Sequence, residues 1–149
     1  MSQALVVDCS VSGAWLLEDE RTGHAERLLG CVLSGELRLV EPELWRYEML
    51  NLLRTAVLRG RMTEREARRA LVALGEIPVE LVPAVAGQQA AILGAALVHE
   101  LSVYDAAYLA VAESRGAELV TADEGLLRLR SGLEWVRTLE EFCRDLPGG

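Results

Sequence analysis

The chain has 149 residues, a length that suits one domain over residues 1–149, and 51% of them are hydrophobic, which excludes a disordered chain. Its 23 acidic and 15 basic residues give a formal net charge of −8, so a generally basic nucleic-acid-binding surface is excluded, and aromatic residues at 5% make a base-stacking platform unexpected. The basic residues counted in that charge are all arginine, which excludes sites built on lysine, such as a Walker A phosphate loop.

The first half of the chain predicts a strand, two helices, a second strand and two further helices. Residues 4–7 form a continuous apolar run, typical of a central parallel strand buried on both faces, and Asp8 follows at its carboxyl end. Apolar spacing then predicts a short helix over 11–17, an amphipathic helix over 22–34 and a strand over 37–40. Pro42 is predicted to open a longer helix that runs to about Arg59, and Thr63 with Glu66 forms the capping box of the next helix.

The second half predicts a helix-rich segment followed by two more strands. Residues 77–82 favour an edge strand or a loop because Pro78 interrupts them. Ser102, with Asp105 three residues later, predicts the start of a buried helix that ends at Gly116. The remaining elements are a helix over 86–99, a strand over 118–121, a turn or short helix over 125–129, a strand over 135–137 and a helix over 139–144, and residues 147–149 are expected to fray.

Strands alternate with helices along the chain, and no repeat or linker interrupts them. This order predicts an α/β fold in which a mainly parallel sheet carries helices on both faces. In such sheets, ligands bind outside the carboxyl ends of the strands. Acidic residues that follow strands are therefore the first candidates for a functional site.

Four acidic residues are candidates for one site at that edge. Asp8 and Asp123 each follow an apolar strand, and Asp105 begins the helix that leads to the strand before Asp123. Glu48 lies on the long predicted helix, on the same face as Asn51. Each acid also has a simpler interpretation when taken alone, as a helix cap, a turn residue or an exposed helix residue. The hypothesis therefore depends on the acids acting together.

Converging carboxylates have definite chemical needs. Two of them about 4 Å apart repel by about 4 kcal/mol at an effective dielectric constant of about 20, so the group must take up protons or bind cations. A site made only of oxygen ligands selects hard ions, Mg²⁺ or Mn²⁺. One or two such ions would activate water and stabilise the leaving oxygen in phosphodiester cleavage. The acidic pattern therefore favours a nuclease.

The same residues carry a resemblance to a known family. Four motifs occur in the order seen in PIN domains: Asp8 with Ser10, Glu48 with Asn51, residues 104–110, and residues 119–123. The closest similarity is to the VapC-like toxins of bacterial and archaeal toxin–antitoxin pairs. Each motif alone is weak, but their order and spacing are specific and cover nearly the whole chain.

The resemblance implies a three-layer α/β/α sandwich and a divalent-metal-dependent endoribonuclease, usually a homodimer, that a cognate antitoxin inhibits. Carried over by position, the catalytic acids would be Asp8, Glu48, Asp105 and Asp123. Of these, Asp8, Asp105 and Asp123 would hold one or two Mg²⁺ or Mn²⁺ ions. The supporting hydroxyl and amide groups would be Ser10, Asn51 and Thr121, and the substrate would be single-stranded RNA.

The basic residues are concentrated between positions 54 and 69. Arg54, Arg59 and Arg61 are candidates for contacts with RNA phosphates. The alternative is a solvated helix face whose arginines pair with nearby glutamates. The apolar content of residues 42–60 and 84–98 exceeds the need of a small core, which favours a dimer interface or an antitoxin groove, with plain core packing as the alternative.

Two other functions stay open. A metal-dependent phosphatase on a similar sheet would use Asp8 as its nucleophile, but such enzymes generally need a second aspartate at the position of Ser10 and a lysine. A non-catalytic PIN-like binding module predicts an incomplete acidic set, whereas the set here is complete.

The cysteines and the apolar runs bear on the location of the protein. Cys9, Cys31 and Cys143 lack the spacing of a metal site and are interpreted as reduced, mostly buried thiols. No signal peptide is evident, and no apolar run reaches the length of a membrane span. A cytoplasmic protein without a membrane partner is therefore expected.

Overall fold

Parallel strands form one central sheet in the computed structural model, which describes residues 2–148. The strands are β1 Gln3–Val7, β2 Leu37–Pro42, β3 Glu80–Val82, β4 Glu118–Val120 and β5 Val136–Arg137. Their order across the sheet is β3-β2-β1-β4-β5, and every neighbouring pair is parallel. Leu5 lies opposite Leu39 on one side of β1, and Val7 lies opposite Val120 on the other. The predicted parallel sheet is confirmed.

Helices connect the strands. They are α1 Cys9–Ser12, α2 Gly23–Leu33, α3 Leu44–Leu58, α4 Glu64–Glu76, α5 Ala86–His99, α6 Val103–Arg115, α7 Glu124–Leu127 and α8 Leu139–Arg144, with short 3-10 helices at Gly13–Trp15 and Glu18–Glu20. Connections between parallel strands are right-handed. Since β1, β2 and β3 succeed one another in one direction across the sheet while β4 and β5 lie on the other side of β1, α1–α4 and α5–α7 cover opposite faces. The predicted three-layer sandwich is confirmed.

The strand order reverses between β1 and β4. Such a reversal opens a crevice at the carboxyl ends of the two strands, and this crevice is where open α/β sheets bind ligands. Asp8 directly follows β1, and Asp123 lies three residues beyond β4. The fold therefore brings these two acids to the same crevice, although 115 positions separate them in the sequence.

The central strand and helix are buried as their composition predicts. Leu5, Val6 and Val7 are fully buried in β1. In α6, every residue from Ala106 to Ala112 is buried, and the helix packs against β1, β2 and β4. Ser102 accepts a hydrogen bond from the Asp105 backbone N–H at 3.1 Å, so it caps α6 as predicted. Asp105 therefore lies in the first turn of a helix that is fixed in the core.

The prediction that Pro42 opens the long helix is wrong. Pro42 is the last residue of β2 and lies opposite Val82 in β3, and α3 begins at Leu44. The fixed φ of proline suits both a helix start and a strand end. Pairing with β3, which no local pattern reveals, decides between them.

Other boundaries shift by a few residues. The first helix begins at Cys9 rather than at position 11 because Asp8 caps it, and residues 13–15 form a 3-10 turn. Only Glu80–Val82 of the segment 77–82 is a strand, at the edge of the sheet as expected. The turn or short helix predicted over 125–129 is α7, which Asp123 caps.

The C-terminal segment is tied to α2. The Arg27 guanidinium donates hydrogen bonds to the carbonyls of Cys143, Leu146 and Pro147 at 2.8, 2.9 and 3.1 Å. The expected fraying of residues 147–149 falls partly on Gly149, which lies outside the described residues. Within residues 2–148 no single helix is long and apolar enough to cross a membrane; α5 and α6 pass that test only as a pair, bent by 114°.

Candidate active site

Asp8 lies in the crevice with both carboxylate oxygens engaged. Its Oδ1 accepts hydrogen bonds from the Ser10 backbone N–H at 3.1 Å and from the Ser10 hydroxyl. Its Oδ2 accepts one from the Thr121 hydroxyl at 2.7 Å. Asp8 is only 5% exposed, so these bonds replace water and fix the carboxylate between the ends of β1 and β4.

The same two hydroxyls connect Asp8 to the segment that carries Asp123. The Ser10 hydroxyl accepts a hydrogen bond from the Ala122 N–H at 2.9 Å. The Thr121 hydroxyl accepts one from the Asp123 N–H at 2.9 Å. Each hydroxyl thus donates to Asp8 and accepts from the chain beyond β4. This bridging explains why the site needs Ser and Thr, which can do both.

Asp105 and Asp123 face a common small space beside Gly125. Asp123 caps α7, and its Oδ2 accepts a hydrogen bond from the Leu126 N–H at 3.1 Å. A methyl group placed on Gly125 would lie 3.0 Å from Asp123 Oδ2 and 3.9 Å from Asp105 Oδ2. The missing side chain of Gly125 therefore leaves both carboxylates open on this side.

Glu48 reaches the site from α3 and is half-buried. Its Oε1 accepts a hydrogen bond from the hydroxyl of Tyr108, which is buried in α6. Glu48 and Asn51 also line an open groove of about 520 Å³. The structure thus places this predicted pair at one groove, with Glu48 held by a tyrosine and Asn51 exposed.

The four acids are linked electrically. Burial raises the pKa of Asp8 to about 6 despite its hydrogen bonds from Ser10 and Thr121, and the charge of Asp123 adds to the rise. Burial, and then the charge of Asp123, raise the pKa of Asp105. Burial raises the pKa of Glu48 against the Tyr108 hydrogen bond, with a further contribution from Asp105. The charge of Asp123 therefore makes ionisation of Asp8 and Asp105 harder, and the charge of Asp105 does the same for Glu48, as expected for neighbouring acids.

The site lacks a compensating cation among the described residues. No ion pair within residues 2–148 involves the four acids. In the same part of the chain, no three His, Cys, Asp or Glu side chains are grouped closely enough to hold one metal ion. The oxygen donors and the uncompensated charge suit a hard divalent cation in their chemistry. Asp8 is oriented by Ser10 and Thr121, whereas Asp105 and Asp123 share the space beside Gly125.

The three candidate RNA contacts differ in their surroundings. Arg54 and Arg59 are exposed near the end of α3. Arg61 lines the groove of Glu48, but its guanidinium donates to Asp19 at 2.8 and 3.0 Å and to Glu20 at 2.6 Å. The charge that Arg61 brings to the groove is therefore already offset.

Sequence reasoning missed a fifth acid, Glu41. It is fully buried at the end of β2, and its Oε1 accepts a hydrogen bond from the Val7 N–H at 3.2 Å. Its Oε2 has no hydrogen-bond partner among residues 2–148, and burial raises the pKa of this carboxyl well above its ordinary range. Glu41 follows the predicted strand 37–40, as Asp8 follows the predicted strand 4–7, so its position at a strand end was within reach of the sequence argument.

Sequence reasoning also missed Arg128, at the end of α7. Its guanidinium donates hydrogen bonds to the carbonyls of His99 at 2.5 Å and Glu100 at 3.3 Å. Glu100 ends α5 in the left-handed conformation, with φ of 54°. Arg128 therefore ties the helix that follows Asp123 to the turn that precedes Asp105. No pattern in the sequence pointed to this contact.

Comparison with known proteins agrees with this architecture. The model of the family described as "PIN domain" matches residues 5–131. Ribonuclease VapC3 of Pyrobaculum aerophilum is 37% identical over 123 residues, which cover 82% of this chain and 91% of that protein.

Two solved structures share the fold. PAE2754 from Pyrobaculum aerophilum matches with a TM-score of 0.65 and 24% identity, over 97% of this chain and 96% of that one. A toxin–antitoxin complex from Klebsiella pneumoniae matches with a TM-score of 0.60 and 14% identity, over 91% of this chain and 97% of that one. With the family model and the VapC3 relationship, these findings identify the chain as a VapC-like member of the PIN-domain family.

Proposed function

We propose that the protein is a divalent-metal-dependent endoribonuclease that cleaves single-stranded RNA, and that it is the toxin of a toxin–antitoxin pair. The observation that carries the proposal is the linked set of Asp8, Asp123, Asp105 and Glu48 at the switch point of a PIN-domain sheet. The name of the relative Ribonuclease VapC3 supports RNA as the substrate.

The acids divide the work according to their surroundings. Asp105 and Asp123, which face the same space, would hold Mg²⁺ or Mn²⁺ together with Asp8. When bound, one or two such ions would lower the pKa of a water molecule and neutralise charge at the phosphate. Ser10 and Thr121 keep Asp8 oriented, and Tyr108 keeps Glu48 oriented at the edge of the groove. Glu48 would act from the outer shell or hold a second ion.

The RNA would lie along the groove that Glu48 and Asn51 line. The acidic chain offers little general attraction for a polyanion, so binding must come from local contacts and from the bound cations. Arg54 and Arg59 would contact backbone phosphates from the end of α3, and Asn51 would donate from its amide. Arg61 would join them only after releasing Asp19 and Glu20. An RNA substrate would accord with a cytoplasmic location.

A homodimer and an antitoxin are the proposed partners. On α5, the side chains of Leu93, Leu97 and Val98 are 57, 72 and 76% exposed, and Leu58 at the end of α3 is 68% exposed. Apolar surface of this extent supports protein contacts. The fold shared with a protein of the Klebsiella pneumoniae toxin–antitoxin complex supports an antitoxin as one of them. A small neighbouring reading frame with a DNA-binding N-terminal region would identify it.

One observation favours a second candidate function, a non-catalytic PIN-like binding module. No three potential ligands are assembled for a metal ion within residues 2–148. This candidate predicts RNA binding without cleavage under any divalent ion. The phosphatase alternative has no corresponding support, because Ser10 is bound to Asp8 and no lysine exists to assist.

The test is cleavage of a structured RNA pool by the purified protein, with Mg²⁺, with Mn²⁺ and with EDTA. The wild type should cut only with metal, and Asp8→Asn should not cut. Glu113→Gln is the matched control, because Glu113 is an exposed acid on α6, the helix of Asp105. RNA binding without cleavage by the wild type under both ions would favour the binding module.

A further inference from the structure

Two of the three tyrosines are exposed beside the acids. Tyr47 is 73% exposed and Tyr104 is 66% exposed, whereas Tyr108 is 2% exposed. Tyr47 directly precedes Glu48 on α3, and Tyr104 directly precedes Asp105 on α6. Although the chain has few aromatic residues, its two exposed tyrosines therefore both lie beside residues of the candidate site.

Both rings border two adjoining cavities. One is the groove of about 520 Å³ that Glu48 and Asn51 line. The other is a pocket of about 300 Å³ whose wall is mostly apolar and includes Val82, Ile92 and Val103. Tyr47 and Tyr104 line both cavities, so they lie where the acidic groove meets the apolar pocket.

The apolar pocket also carries an unused hydrogen-bond donor. Gln88 lines it, and the Gln88 Nε2 atom is buried with no hydrogen-bond partner among residues 2–148. A buried donor without an acceptor is costly, and an incoming acceptor would relieve that cost. A flat apolar ring that bears a carbonyl or ring-nitrogen acceptor matches both the wall and the donor. Nucleobases have this chemistry.

We propose that Tyr47 and Tyr104 stack on bases of single-stranded RNA next to the cleaved phosphate, and that the apolar pocket takes one base, with Gln88 as its hydrogen-bond donor. This inference rests on the proposed ribonuclease function and names how the substrate is held. A phosphate placed at the acids brings its flanking bases next to the two residues that precede Glu48 and Asp105. Stacking on aromatic rings is the usual way in which unpaired bases are bound, and it tolerates many sequences.

The test measures binding of short fluorescein-labelled oligoadenylate by fluorescence anisotropy, in Mg²⁺ and in the Asp8→Asn background so that the RNA stays intact. Tyr47→Leu and Tyr104→Leu should each weaken binding about tenfold, as expected for loss of one stacked base. Tyr47→Phe and Tyr104→Phe should keep the affinity of the parent. Leu33→Ala, which removes an exposed apolar side chain of α2, is the control and should change nothing.

An abasic oligonucleotide of the same length separates stacking from other contacts. It should bind more weakly than oligoadenylate, and the leucine variants should bind it as the parent does. The proposal is overturned if the leucine variants bind oligoadenylate normally, if they lose affinity equally for the abasic chain, or if light scattering attributes the loss to a changed oligomeric state. Failure of the ribonuclease function itself would appear separately, as a wild type that cuts no RNA with Mg²⁺ or Mn²⁺.

Discussion

Gly125→Ala tests whether the space between Asp105 and Asp123 is a cation site. The added methyl group would lie 3.0 Å from Asp123 Oδ2 and 3.9 Å from Asp105 Oδ2. The first distance is shorter than an ordinary contact, so the Asp123 carboxylate must move by a few tenths of an ångström. Mg²⁺ demands near-ideal octahedral geometry at about 2.0–2.1 Å, so a shift of this size is harmful. We expect the affinity for Mg²⁺ or Mn²⁺ to fall by about 10- to 100-fold.

The metal-free fold should change little. Alanine in place of glycine in a helix stabilises the folded state by about 0.5–1 kcal/mol. Crowding of Asp123 Oδ2, which caps α7, should lower the free energy of unfolding by a comparable amount. The two effects offset each other, so the free energy of unfolding in EDTA should stay within about 1 kcal/mol of the wild type.

The assay is a titration of the purified proteins with Mn²⁺ by calorimetry, with melting temperatures measured at each concentration. At saturating metal, a tenfold weaker affinity removes about 1.4 kcal/mol of metal-linked stabilisation. Gly30→Ala in α2 is the matched control, since a methyl group there meets nothing within 4 Å. A Gly125→Ala protein that binds Mn²⁺ as tightly as the Gly30→Ala control would refute the assignment of this space as the ion site.

Three further changes test individual contacts. The pKa of Asp8 rises from 3.8 to about 6 on folding, so the native state holds an extra proton between these values and its stability falls as pH rises through them. In EDTA, the unfolding free energy of Asp8→Asn relative to the wild type should therefore increase by about 3 kcal/mol from pH 3 to pH 7, as measured by urea titration. A difference that stays constant over this pH range would contradict the prediction. Glu41→Gln should keep the Val7 amide protected from hydrogen exchange, because the side-chain carbonyl can still accept its hydrogen bond. Glu41→Leu should lower that protection, because the Val7 N–H loses its acceptor. Equal protection in the two variants would contradict the contact. Arg128→Met should weaken Mn²⁺ binding about tenfold, because it frees α7 from the turn before α6. The control Arg130→Met loses an exposed ion pair with Glu141 and should bind Mn²⁺ normally. Equal Mn²⁺ affinities of the two variants would show that Arg128 does not support the site.

The parts of the fold that follow from the sequence are those set by local patterns. The apolar run of β1 and the capped apolar helix α6 specify their own structure, so Asp8 and Asp105 could be placed at element ends before any contact was known. Once β1 and β4 are both central and parallel, their carboxyl ends must share one edge. That is why Asp8 and Asp123 were expected together.

The contacts that escaped prediction join distant positions. Glu41 bonds to Val7 across 34 residues, and Arg128 bonds to His99 across 29 residues. Neither side chain has a spacing that announces its partner. Pro42 was misassigned because its local conformation suits two elements, and the pairing of β2 with β3 decides the outcome. Composition alone could not locate the tyrosines either, because a low aromatic total says nothing about where two exposed rings lie.

The central claim is that RNA cleavage requires a cation held by Asp8, Asp105 and Asp123 outside the carboxyl ends of β1 and β4. The most direct measurement is the rate of RNA cleavage as Mn²⁺ is raised, for the wild type, Asp105→Asn and Asp123→Asn, beside Mn²⁺ binding in the same samples. The account predicts a wild-type rate that rises with Mn²⁺ occupancy, with both rate and binding strongly reduced in the two variants. Full-rate cleavage in EDTA, or undiminished cleavage by Asp123→Asn, would contradict it.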